Sequence, residues 1–156
     1  ERMLYQKVTD IYATSIDYRK DDKLTKDFFA TVQNKMHFAV HGHTAAEIIS
    51  KRADSKKPLM GLTSFKGNCI TQQDAKIAKN YLTEDELKQL NLIVSMYLDF
   101  AELQATNGRL MKMADWIAKL DGFLRLSERE RLMNAGSVSA EDAAQKAEEE
   151  YDKCRN

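Results

Sequence analysis

Between Thr83 and Ala105 apolar side chains return every three or four positions with no Gly or Pro among them, the rhythm of a helix and not of a strand. Leu87, Leu90, Val94, Tyr97 and Ala101 form one stripe, and Ile93, Met96, Phe100 and Leu103 form an adjacent one. An apolar arc this wide is expected of a helix packed on more than one side. The segment therefore reads as the long central helix of a bundle, about 84–105. Thr83-Glu-Asp-Glu86 opens it as a capping box, in which the hydroxyl accepts from the Glu86 backbone and the carboxylate reaches back. Asn107-Gly108 closes it.

The rest of the chain follows the same logic. Leu4, Val8, Ile11, Tyr12 and Ser15 predict a helix from Met3 to about Tyr18. Thr25 can cap a helix from Lys26 to about Val40 that turns Phe28 or Phe29, Val32, Met36 and Ala39 or Val40 inward, stopped by Gly42. Thr44-Ala-Ala-Glu47 is a second capping box, before a short helix through Ala53 with Ile48 and Ile49 inside. Thr71 begins a helix through Ile77, Ala78 and Tyr81. A helix around Met113 to Leu126 buries Trp116, Ile117, Leu120, Phe123 and Leu124. Ser127-Glu-Arg-Glu130 is a third capping box, with Gly136 closing a short helix. Ser139 and Asp142 start the last helix, Ala140 to Cys154, whose Ala143, Ala144, Ala147 and Tyr151 make a thin small-residue stripe suited to a dimer surface. Residues 54–70, which hold the only Pro, are the one long irregular loop; a short strand or hairpin is one form it could take.

These elements add up to an all-α fold, a single multi-helix bundle over residues 1–156 with no internal repeat or linker. One Pro and six Gly argue against an all-β chain. With 43% apolar residues a chain of this length can close one core, burying roughly 70% of its unfolded surface. Basic and acidic side chains balance at 24 each, which removes the general case for a domain that grips nucleic acid through its phosphates. No apolar run is long enough to span a membrane. Cys69 and Cys154 fit no ligand or disulfide pattern, which favours a reducing compartment, the cytoplasm. The chain opens in helical rhythm without an initiator Met, as expected of the C-terminal domain of a longer protein.

Chemistry-bearing residues gather in one stretch. His37, His41 and His43 lie within seven positions, and His37 and His41 share a helical face. Phe38 stands where a zinc protease needs Glu, so neither a metal nor a cofactor is expected. Gly61-Leu-Thr-Ser-Phe-Lys-Gly-Asn68 departs from the phosphate-loop spacing and reads as a structural loop pinned by Leu62 and Phe65. If that loop folds inward, Lys51, Arg52, Lys76, Lys79 and Asn80 could join the three histidines around an anionic ligand, with Thr44 and Glu47 as further ligand-binding candidates. No nucleophile, base and orienting group stand out as a catalytic set, so catalytic residues stay unassigned and a non-enzymatic role is favoured.

Several segments also carry a likeness. Tyr5-Gln-Lys-Val-Thr-Asp-Ile-Tyr-Ala13, Phe28-Phe-Ala-Thr-Val-Gln-Asn-Lys35, His43-Thr-Ala-Ala-Glu-Ile-Ile49, Lys57-Pro-Leu-Met-Gly-Leu-Thr63, Ala78-Lys-Asn-Tyr-Leu82, Asp115-Trp-Ile-Ala-Lys-Leu-Asp121 and Ala147-Glu-Glu-Glu-Tyr151 occur in this order. Together they resemble the C-terminal region of the RhuM family of bacterial virulence-associated proteins over nearly the whole chain. The resemblance implies an association with pathogenicity islands and mobile elements, and a helix-turn-helix-like DNA-binding module ahead of this region, absent here. It implies no catalytic residue. The expectation is an effector or self-association domain of a DNA-binding, regulator-like protein. It would act as a homodimer or on a protein partner, away from membranes, and meet nucleic acid through the absent module. The alternative is a small enzyme or toxin-like ligand-binding domain with its site near the His37–Glu47 segment and the 54–70 loop.

Overall fold

The computed structural model describes residues 23–108, 111–126 and 136–155. Among these residues there are six α-helices and no strand. They are α1 (Lys23–His41), α2 (Ala45–Arg52), α3 (Gln72–Ala75), α4 (Glu84–Thr106), α5 (Met113–Leu126) and α6 (Ala140–Arg155), with 3-10 turns at Pro58–Gly61 and Ala78–Tyr81. The all-α reading holds. The expected helix at 3–18 and the capping box and short helix at 127–136 lie outside the described residues, apart from Gly136.

The inward face of α1 is the one its periodicity sets: Phe28, Val32, Met36 and Ala39 are all buried. The helix already includes Lys23, the first of the described residues, ahead of the expected Lys26. Its stop is Gly42 in the left-handed region. Against α1 pack α4, through Leu90, Ile93, Tyr97 and Ala101, and α5, through Trp116, Leu120 and Leu124. The Tyr97 hydroxyl donates to the Trp116 carbonyl at 3.4 Å, and Lys35 Nζ reaches Asp121 at 2.9 Å, tying α1 to α5.

The small-residue stripe of α6 is used inside the chain. Ala143 and Ala147 are 1% and 0% exposed, and α6 lies mainly on α2. Lys146 Nζ donates to the Ser50 carbonyl at 2.7 Å, satisfying one of the acceptors that the end of α2 leaves open. Glu150 accepts the Ser55 backbone N–H at 3.2 Å. Ala143 and Ala147 of the stripe are therefore taken up within the chain.

Three further expectations change. The 54–70 segment contains neither strand nor hairpin but the 3-10 turn at Pro58–Gly61, which carries Met60 into the core at 0% exposure. Gly61 must be glycine there: a Cβ would lie 2.3 Å from the Arg52 carbonyl oxygen. The helix after Thr71 ends at Ala75 instead of running through Tyr81. Side chains take the carbonyls that a further turn would have used, Asn80 Nδ2 donating to Asp74 O at 3.0 Å and the Tyr81 hydroxyl to Ala75 O at 2.7 Å. Finally, the described residues do not cover α4 around its whole apolar arc. Leu92, Met96 and Leu103 are 54%, 46% and 55% exposed.

Leu59 and Met60 hold φ of 53° and 51°, a region L residues enter at a cost of roughly 1–2 kcal/mol each. Met60 is anchored by burial, whereas Leu59 is half exposed. Leu59→Asn, a residue that tolerates this conformation, should raise stability by about 0.5–1 kcal/mol in chemical denaturation.

Candidate functional site

The residues singled out from the sequence divide into three groups. His37 is 0% exposed, and its Nδ1 lies 3.0 Å from His41 Nε2. The outer nitrogens, His37 Nε2 and His41 Nδ1, are buried with no partner. Whichever ring donates across the 3.0 Å contact, one outer nitrogen is left as a bare N–H and the other as a bare lone pair. Burial lowers the His37 pKa to about 4 and, with the charge of His37 and then of other neighbours, the His41 pKa to about 3. Both rings are therefore neutral at physiological pH. His43 stacks on His41 at 6.1 Å between ring centroids, and its Nε2 lies 3.3 Å from Lys51 Nζ. Among the described residues no three His, Cys, Asp or Glu side chains converge as metal ligands.

A second group holds elements together. Thr44 and Glu47 form the expected capping box, Glu47 Oε1 accepting the Thr44 N–H at 2.7 Å. Glu47 Oε2 accepts from both the backbone and the hydroxyl of Ser137, at 2.8 and 2.6 Å. These donors, Ser137 foremost, hold the Glu47 pKa down at about 2. Arg52 grips Glu86 with two nitrogens, at 2.6 and 2.8 Å, and donates to the Tyr81 carbonyl at 2.9 Å. That pairing holds Glu86 at about 2. Lys76 pairs with Glu148 of α6 at 2.5 Å. Arg52 and its partner Glu86 stay close enough to His41 to act on its charge, whereas Lys76 is drawn to Glu148 on α6.

The third group lines a cavity. Lys79 and Asn80 face a hollow of about 540 Å³ together with Ser64, Phe65, Lys66, Thr71, Gln73, Asp74 and Ile77. Asn80 builds its wall: its carbonyl accepts the Thr63 N–H at 2.6 Å and the Thr63 hydroxyl at 3.0 Å, and its Oδ1 accepts the Ser64 hydroxyl at 3.2 Å. Across the hollow, Thr71 and Asp74 cap α3 reciprocally. The 54–70 loop and the Lys76–Asn80 segment thus meet, but no residue of the His37–Glu47 segment, which the ligand-binding alternative also needs, is part of the lining. The sequence reading takes Phe65 as a pin of the loop, sets Lys66 aside with the failed phosphate-loop spacing, and misses Asp74 as the partner of Thr71. That cap was legible, since Thr71-Gln-Gln-Asp74 has capping-box spacing with Asp in place of Glu.

The exposed face of α4 is the other unassigned feature. Stepping by four, three and four residues, Leu92, Met96, Asp99 and Leu103 follow a seam of heptad type. No helix among the described residues is long and apolar enough to cross a membrane. The family model described as "Virulence protein RhuM family" matches residues 1–156, the whole chain. Comparison with curated proteins and with solved structures finds no match.

Proposed function

The chain belongs to the virulence protein RhuM family, and from that premise we propose that it is a two-fold self-association domain whose contact surface is the outer face of α4. One observation carries the reading: Leu92, Met96 and Leu103 stand exposed along a single stripe of one helix. Large apolar side chains grouped on a surface mark a site of interaction.

The charges beside the stripe favour a second copy as the occupant. Lys88 stands one turn before Leu92, and Asp99 about one turn after Met96; both are exposed. Two antiparallel α4 helices would set each Lys88 opposite the Asp99 of the other copy, with Leu92 and Met96 between them. A two-fold contact demands such self-complementarity. The four apolar side chains between the charges, Leu92 and Met96 of each copy, would contribute on the order of 6 kcal/mol gross. Association itself costs a comparable amount, so the expected dimer is micromolar and not nanomolar. In a longer chain with a DNA-binding module ahead of it, such a dimer would hold two modules together, as paired half-sites require.

The test is a charge exchange read by light scattering. Lys88→Asp and Asp99→Lys should each weaken the dimer about ten-fold, and the double exchange should restore it to within about three-fold. Single variants that associate like the parent chain would remove the antiparallel arrangement.

A further inference from the structure

We propose that the cavity between the 54–70 loop and the Lys76–Asn80 segment binds a phosphorylated small molecule carrying a flat ring, of the nucleoside monophosphate class. This is independent of self-association through α4. Its volume, about 540 Å³, falls within the range of small-molecule sites, roughly 300–1,000 Å³. The wall is preformed, because Asn80, only 6% exposed, joins Thr63, Ser64 and Asp74 through its backbone and side chain.

Charge sets the ligand's sign. Lys66 and Lys79 both line the cavity, and neither has an ion pair among the described residues. The one carboxylate in the lining, Asp74, is turned to the Thr71 N–H and hydroxyl, both at 2.9 Å. Neighbouring Lys76, in contrast, is neutralised by Glu148 and lies outside this lining. Two ammonium groups against one carboxylate, which Thr71 already engages, leave the described lining net positive, the sign that suits a phosphate monoester. Phe65 and Ile77, both half-buried in the lining, offer the apolar surface on which a ring can stack. Gln73 adds an exposed amide at the rim for polar contacts to the ring or sugar.

The test titrates the four common nucleoside monophosphates, the matching nucleosides and inorganic phosphate into the 1–156 chain by calorimetry, with thermal melting in parallel. Saturable binding of at least one monophosphate is expected, at least ten-fold tighter than its nucleoside and than phosphate alone. Lys66→Glu and Lys79→Glu should each weaken it ten-fold or more while leaving the ligand-free melting temperature in place, since neither lysine supports the fold through an ion pair. No saturable binding by any monophosphate overturns the proposal. So does binding that both variants leave unchanged, or phosphate alone binding as tightly as the monophosphate.

Discussion

Acidification from pH 7 to pH 5 should destabilise the folded chain by about 2–4 kcal/mol, an effect centred on His37 and His41. Both rings have folded-state pKa values below the ordinary 6.5, at about 4 and about 3. Between those values and 6.5 the unfolded chain binds protons that the folded chain refuses. Stability is therefore fully present above pH 6.5 and falls as the pH drops toward 4, by up to about 1.4 kcal/mol per pH unit for each ring. The lower end of the range reflects half-buried His41, where solvent screens part of the effect. Around His41, Glu86 favours the charged ring, while Arg52, His37 and His43 oppose it. Glu47 and Glu86, held at about 2, begin to lose their contribution only below about pH 4.5, outside this window. Urea unfolding at pH 7, 6 and 5 checks the effect. His37→Leu should reduce the slope by about half, since one titrating ring is gone. A stability that stays level from pH 7 to 5 would show that the folded and unfolded chains take up equal numbers of protons, so that burial does not hold the two rings neutral.

Gly136→Ala should cost about 3 kcal/mol, exceeded among the described glycines only by a methyl at Gly61, which would meet the Arg52 backbone. Gly136 has φ of +90°, and a Cβ there would lie 2.6 Å from Thr44 Cγ2 and 3.0 Å from its hydroxyl. Thr44 is fully buried and caps α2, so it has no room to retreat. The displaced segment would also carry Ser137 away from Glu47, which accepts two of its hydrogen bonds. Gly108→Ala shares the positive φ but has open space around the added Cβ. It should lose about 1 kcal/mol, and the difference between the two variants isolates the clash from the backbone strain.

What the sequence made legible was whatever depends on neighbours along the chain. The spacing of Phe28, Val32, Met36 and Ala39 names the buried face of α1, and Thr44 and Thr83 mark the starts of α2 and α4. Pairings across the fold were not legible. Nothing local to Arg52 announces Glu86, thirty-four residues away, as its partner, nor does anything near Lys76 point to Glu148. Those two ion pairs hold Arg52 with Glu86 beside His41 and draw Lys76 to α6, while Lys79 lines the cavity. The apolar arc of α4 shows the same limit. Periodicity marks Leu92, Met96 and Leu103 as apolar and aligned, but only the packed fold shows that α1 uses a different part of the arc. The alanines of α6 illustrate the converse: their small size suits close approach, and α2 is the helix that approaches.

Sedimentation equilibrium of the 1–156 chain, from micromolar concentration up to about 0.5 mM, tests self-association most directly. A reversible monomer–dimer equilibrium with a micromolar dissociation constant is expected, and Leu92→Asp should shift it to monomer without lowering helix content. A single species with the mass of one chain at every concentration would contradict it.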